Sequence, residues 1–263
     1  MQIGLSTWGY FTCAQQSDSQ VSTAIVLPEV AAMGFKGIEV GWPLSELPSV
    51  SEFRAQLDQH GLCAVGHWVE VTFHSQCLDE AEQKARFLQN VGGMVLICEG
   101  EKQAVSMTRD QYLALYRQFD AIGRICEKYD IRAAFHFHRG CLETEEEVHD
   151  FFSHTKSVWF CPDIGHASAA GWNPIPVMQQ YRDKIVHVHL KDARMDSESR
   201  RFSRFVELGK GNNGLDIRAC LDCLNEMGFQ GWAMIEQDHT TISPADDAAE
   251  SRRFLQRIGH WTP

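Results

Sequence analysis

Four residues able to hold a metal ion recur down the second half of the chain: His136, Asp163, His189 and Glu236. Each stands at or just past the end of a short apolar run, and successive members are 27, 26 and 47 residues apart. That spacing fits one strand-helix unit, a second, and a third lengthened by the glycine-containing stretch 193–215. Two imidazoles and two carboxylates form a borderline-hard donor set, suited to Mn²⁺, Co²⁺ or Mg²⁺, with Zn²⁺ also accommodated, rather than to copper or an iron–sulfur cluster. A lone strand histidine is more often a hydrogen-bonded core residue, but four donors delivered by four strand ends make a site. His138 and His166 stand beside them, with Lys191 and Asp238 near in sequence. A histidine next to a divalent ion suits general acid or base work near neutral pH. The alternative for each is a supporting role, orienting a ligand by hydrogen bond.

The elements that must position these residues follow a repeated pattern of apolar strand, then amphipathic helix. Strands are expected at Gln2–Ser6, 33–40, Leu62–Val71, Met94–Cys98, Ile131–His138, Val158–Cys161, Ile185–Leu190 and Trp232–Ile235. Helices are expected between them, at Thr23–Met33, Val50–Gln59, Leu78–Asn90, Asp110–Tyr129, from Thr144, from Pro174, at Asp216–Met227 and at Pro244–Ile258. The residues after the first strand read as an aromatic, polar loop, and 193–215 as a long loop. Eight such units, with strands that barely alternate, predict an α/β fold, a (β/α)8 barrel formed as one domain over residues 1–263. A doubly wound sheet would want a glycine-rich phosphate loop after its first strand, and Gly4-Leu5-Ser6-Thr7-Trp8-Gly9 is not one. Active sites of such barrels lie at the C-terminal strand ends, where Glu39, His67 and Glu99 also fall and become candidates to bind substrate. Glu39 reads equally as a substrate ligand or as an exposed carboxylate at the rim.

Composition narrows the partners. With 35 acidic against 24 basic residues and a net charge of −11, the chain lacks the cationic surface that nucleic acid requires. The single basic cluster, Arg194, Arg200, Arg201 and Arg204, is interleaved with Asp196 and Glu198 and reads more readily as a solvated loop than as an anion site, although Arg194 is retained as a candidate substrate contact. No cationic leader opens the sequence and no apolar run reaches membrane-spanning length, so a soluble, cytoplasmic protein is expected, with no membrane partner. Nine cysteines without paired spacing fit reduced thiols, and Cys220 and Cys223 read as helix thiols before a zinc or redox pair. The sequence leaves a homo-oligomer open.

Several runs then resemble a known family. PDIGHASAAG, HVHLKD, LGKGNNGLD and GWAMIEQD are similar, in order, to those of the xylose-isomerase-like sugar isomerase/epimerase superfamily, and FHFHRG followed by HVHLKD and IEQD is most similar to its inosose dehydratase branch. The resemblance implies a metal-dependent (β/α)8 barrel acting on a small sugar or cyclitol, with Asp163, His189 and Glu236 as metal ligands and His166 and Lys191 lining the substrate pocket. One position departs from the epimerases: His136 stands where they carry a glutamate that pairs with the last-strand glutamate to move protons on opposite faces of a substrate. With that pair broken, the expectation is a lyase that removes water from a polyhydroxylated ketone such as an inosose (2-keto-myo-inositol). His138 is then the acid/base group, His166 or Lys191 protonates the leaving hydroxyl, Glu236 serves both metal and reaction, and Asp238 contacts substrate. A keto-sugar isomerase or epimerase is the alternative. A phosphodiester nuclease on the same fold is disfavoured by the acidic balance, and a non-catalytic metal- and sugar-binding protein stays open.

Overall fold

The computed structural model describes residues 1–16, 21–101, 107–138, 140–199 and 201–261; Arg200 of the basic cluster lies outside them. In chain order the elements are β1 (Gln2–Ser6), α1 (Trp8–Gln16), α2 (Thr23–Ala32), β2 (Gly37–Val40), α3 (Val50–His60), β3 (Cys63–Val71), α4 (Gln76–Val91), β4 (Val95–Gly100), α5 (Arg109–Glu127), β5 (Arg132–His136), α6 (Glu145–His154), β6 (Trp159–Phe160), α7 (Ile164–Ala169), α8 (Pro174–Gln180), β7 (His187–Leu190), β8 (Asp192–Met195), β9 (Phe202–Val206), α9 (Ile217–Glu226), β10 (Trp232–Ile235) and α10 (Pro244–Arg257). All strands except β8 and β9 join one parallel sheet in the order β6-β5-β4-β3-β2-β1-β10-β7. Parallel bridges Phe160–Ile185 and Asp163–His189 connect its two edges. Backbone bonds from Val186 to Phe160 (3.1 Å) and from His189 to Pro162 (2.9 Å) complete that closure. The result is a nearly closed eight-stranded barrel wrapped by helices.

Strand alternation divides the apolar residues into two layers. Outward-facing Ile38, Leu96, Cys98, Phe135 and Phe137 pack against the helices in one large core, while Val95, Ile97, Ala134, Cys161 and Val186 fill the barrel interior. The helices start where the local chemistry dictates: Ser49 with Glu52, Thr108 with Gln111, and Thr144 with Glu147 form capping boxes. The Glu145-Glu146-Glu147 run is thereby first-turn acid at a helix N-terminus. Among the described residues no helix is long and apolar enough to cross a membrane.

Four stretches depart from expectation. Residues 8–16, read as a loop, form α1, whose buried Tyr10, Phe11 and Ala14 supply the apolar face that the polar positions obscured. Within 193–215 lies an antiparallel hairpin, β8 with β9. The glycine run after it is spent on a turn around one carboxylate: Asp192 Oδ2 accepts from the backbone of Gly209 and Gly211, both at 2.9 Å. A Cβ on Gly211 would lie only 1.9 Å from Asp192 Oδ1, so no larger residue fits that approach. A further short helix, α7, begins directly at Asp163, and β5 stops at His136, two residues before the expected end.

Candidate metal centre and adjoining cavity

The site is assembled at the C-terminal ends of β5, β6, β7 and β10. On β5, Phe135 faces out and stacks on Phe151 of α6 with ring centroids 3.9 Å apart, so the next residue, His136, points into the barrel. It is 3% exposed, and its Nδ1 has no hydrogen-bond partner. Asp163 caps α7: its Oδ1 accepts from the backbone of Gly165 and His166, each at 2.8 Å. The cap fixes the carboxylate and leaves Oδ2 buried without a hydrogen bond. Gly165 allows this turn to press on β7, since a Cβ there would meet Lys191 Cβ at 2.3 Å. Each of His136, Asp163, His189 and Glu236 offers a donor atom, and those atoms lie within 4.8 Å of one another.

The expected ligands are thus brought together, and Glu39 is found holding one of them. Rather than standing exposed at the rim, Glu39 is 2% exposed and its Oε2 pairs with His187 Nε2 at 3.0 Å and His189 Nε2 at 2.8 Å. That contact turns His189 Nδ1 toward Glu236 Oε2, 2.8 Å away, in a geometry that makes no hydrogen bond. Ser6 Oγ donates toward Glu39 Oε1 (3.3 Å) and Glu236 Oε1 (3.5 Å), tying the two carboxylates to β1.

Burial opposes the charge on Glu39, but His189 and His187 outweigh it and hold the carboxyl well below the usual range. Glu236 is likewise held down, against burial, by His189 and Lys191. Asp163 is pushed up to about 6 by burial, with Lys191 and His189 pulling the other way. His136 is driven well below its ordinary value by burial and by neighbouring His189 and Lys191, so it is a neutral imidazole. His189 is raised despite its burial, by Cys161, Glu236 and Glu39. Three buried carboxyls around two buried cationic side chains make a negative field, and the field that retains a proton on His189 also favours a divalent cation. The Nδ1 of His136 and Oδ2 of Asp163, neither of them hydrogen-bonded, with carboxylates around them, fit such an ion. The buried Cys161 thiol lies within 4.8 Å of donors on His136 and His189.

Beside the donors lies a cavity of about 180 Å³ whose walls include Trp8, Trp68, Ile97, Glu39, Glu99, His138, Lys191, Asp238 and His239. After β5 the chain turns back, with backbone bonds linking His138 and Cys141 in both directions (3.3 and 3.0 Å), and this leaves His138 half-buried at the cavity edge. Its ring packs on that of His166, 4.1 Å between centroids and 5.9 Å from His136. Lys191, 1% exposed, places Nζ 2.8 Å from Glu236 Oε2, 3.0 Å from Asp238 Oδ1, 3.2 Å from His166 Nε2 and 3.4 Å from Asp163 Oδ2. Burial disfavours its charge, but Asp238, Glu236 and Asp163 override this and keep it an ammonium.

Two candidates lie elsewhere. His67 faces the helices, edge-on to Phe87 of α4 with centroids 6.1 Å apart. An irregularity in β3 is the cause: Ile38 pairs with Ala64 but Glu39 pairs with Gly66, so the alternation shifts and Trp68 takes the inward position. Arg194 is exposed on β8 and lines a neighbouring cavity instead. Trp8, Trp68 and His239 were missed; Trp8 belongs to the helix read as a loop, and no spacing signal marks His239.

The displaced His67 yields a stability prediction. Burial, reinforced by Lys84, lowers its imidazole to about 3, so it is neutral in the fold and takes up a proton only on unfolding. Between the unfolded value near 6.5 and about 3, the unfolded state binds the extra proton, and stability falls as pH falls. Urea unfolding of wild type and His67→Gln at pH 6.5 and 5 should show the wild type losing more stability, by up to about 1.4 kcal/mol per pH unit. Equal losses in both proteins would remove His67 from the acid sensitivity.

A parallel barrel with convergent donors at its C-terminal rim defines a class, and comparison with known proteins agrees. Residues 27–258 match the model of the xylose isomerase-like TIM barrel, and the chain belongs to that family. Among curated relatives, the inosose dehydratase of Geobacillus kaustophilus (strain HTA426) is 28% identical over 269 residues, covering 89% of this chain and 87% of that protein. Of solved structures, the IOLI protein with a bound zinc atom superposes with a TM-score of 0.82 at 15% identity, covering 100% of both chains. An L-ribulose 3-epimerase superposes with a TM-score of 0.77 at 14% identity, covering 98% of this chain and 94% of the other. The two structures bear on the fold alone.

Proposed function

We propose that the protein is a divalent-metal-dependent lyase that removes water from a polyhydroxylated ketone of the inosose type. The observation that carries this reading is the cluster of His138, His166, Lys191 and Asp238 set immediately beside a four-donor centre in which His136 stands in place of a second facing carboxylate. The similarity to an inosose dehydratase supports it. His136, Asp163, His189 and Glu236 would hold the ion, Mn²⁺, Co²⁺, Mg²⁺ or Zn²⁺, and when bound it supplies Lewis-acid polarisation of the ketone.

The remaining work belongs to side chains. His138, half-buried at the cavity edge, takes the proton α to the carbonyl. Lys191, kept protonated by the acids around it, gives a proton to the departing β-hydroxyl, which leaves as water; His166, in contact with both His138 and Lys191, orients the pair. Trp8 and Trp68, edge-on at 5.0 Å, form an apolar wall against bulk water. Glu39 fixes the tautomer and aim of His189.

A second reading, a keto-sugar isomerase or epimerase, is favoured by one observation: Glu99, in register with His136, places another carboxylate on the cavity wall alongside Glu236. Both readings begin with removal of an α-proton. Ion-loaded protein incubated in D₂O with 2-keto-myo-inositol and a panel of ketoses should therefore exchange an α-proton of at least one of them, seen as loss of its NMR signal. No exchange and no product formation with any of them would overturn both.

A further inference from the structure

Adjoining the cavity just described is a second one, of about 230 Å³, between the β8–β9 hairpin and the loop entering α10. Arg194, Arg204 and Lys210 line it, with Phe205, Glu207 and Asp247. His239 is common to both cavities. Phe205, a wall of this second cavity, also packs on His166 at 4.7 Å and lies 5.2 Å from Lys191 Nζ, a residue that lines the first.

The charges here are unusual for a chain of net charge −11. Arg194 and Arg204 are direct partners across the antiparallel hairpin. Like charges so placed stand about 5 Å apart at Cβ and destabilise the pair unless something lies between them. Neither guanidinium makes an ion pair among the described residues; Arg194 Nη2 donates only to the Lys210 carbonyl, at 3.1 Å. Lys210 by contrast is answered by Glu207 at 3.1 Å and Glu250 at 3.6 Å. Asp247 is 3% exposed and is pushed up by burial, which lessens its negative contribution.

We propose that Arg194 and Arg204 form an oxyanion subsite that takes a carboxylate or phosphoryl group carried by the substrate, whose polyhydroxy ketone occupies the neighbouring cavity. The substrate is thus an acidic or phosphorylated sugar or cyclitol; this rests on the proposed function for the ketone, but the anion site itself is testable without turnover. Two planar guanidinium groups from facing strands suit the oxygens of either group.

Calorimetric titration of the ion-loaded protein with inorganic phosphate, gluconate and, as neutral control, glucose decides it. The expected result is saturable binding of phosphate or of gluconate, whichever matches the natural group, with glucose at least about tenfold weaker. Arg194→Gln and Arg204→Gln, both at exposed positions, should each weaken that anion by about tenfold or more without changing metal content, and relief of the like-charge pair should leave the melting temperature of the free protein unlowered. Absence of saturable anion binding, or unchanged binding in the double variant, would overturn the subsite. Anion binding that persists where no ketone undergoes α-proton exchange would uphold the subsite and leave the ketone assignment as the failure.

Discussion

Glu236→Gln and Asp163→Asn are expected to lose the divalent ion and activity together. Both substitutions keep the shape and remove a formal charge from a buried donor. Glu236 is additionally held by Ser6 and faces His189, while Asp163 has one oxygen committed to capping α7, which the Asn side-chain oxygen can still accept. The variants should therefore fold. Loss of an outer-shell partner typically costs 10- to 100-fold in metal affinity, and loss of a charged ligand should exceed about 100-fold. Metal content by mass spectrometry after dialysis, with circular dichroism as the folding control, checks this; full metal and full turnover in either variant would remove that residue from the ligand set.

His138→Asn should separate chemistry from metal binding. The imidazole lies at the cavity edge, 5.9 Å between centroids from His136, so its removal leaves the four donors in place. Turnover is expected to fall by about 10² to 10⁴, the range for a lost general acid or base, with metal content unchanged. His136→Ala, in contrast, should lose metal. If the phenotypes come out reversed, the two histidines exchange roles; if His138→Asn is fully active, the base must be sought at His166.

The barrel was legible because each strand is a short apolar run stopped by a polar residue: all eight expected strands are present, Gln2–Ser6 and Trp232–Ile235 with the expected bounds, five others shorter, and the fourth running two residues further, to Gly100. The convergence of the four candidate donors was legible for the same reason, since a residue just past an apolar strand end must face the rim or the interior. Alternation on β5 was also readable: Phe135 and Phe137 pack outward, and His136 and His138 both reach the cavity. His67 shows where that logic fails, because one irregular pairing in β3 reverses which residues face inward and nothing in the sequence marks it. The burial of Glu39 was hidden too, as its two histidine partners lie 148 and 150 residues away. The hairpin escaped because its short strands mix polar and apolar residues without alternation, Ser203 and Arg204 being exposed side by side on β9, a pattern shared with loops.

The protein reconstituted with Mn²⁺, Co²⁺, Mg²⁺ or Zn²⁺ after chelation, and incubated with 2-keto-myo-inositol and with its acidic and phosphorylated analogues, offers the most direct measurement. Mass spectrometry should show a product lighter by one water, formed with at least one ion, lost on chelation and restored on adding that ion back. A product of unchanged mass would establish the isomerase or epimerase reading in its place, and water loss that persists in the chelated protein would contradict the metal centre at its core.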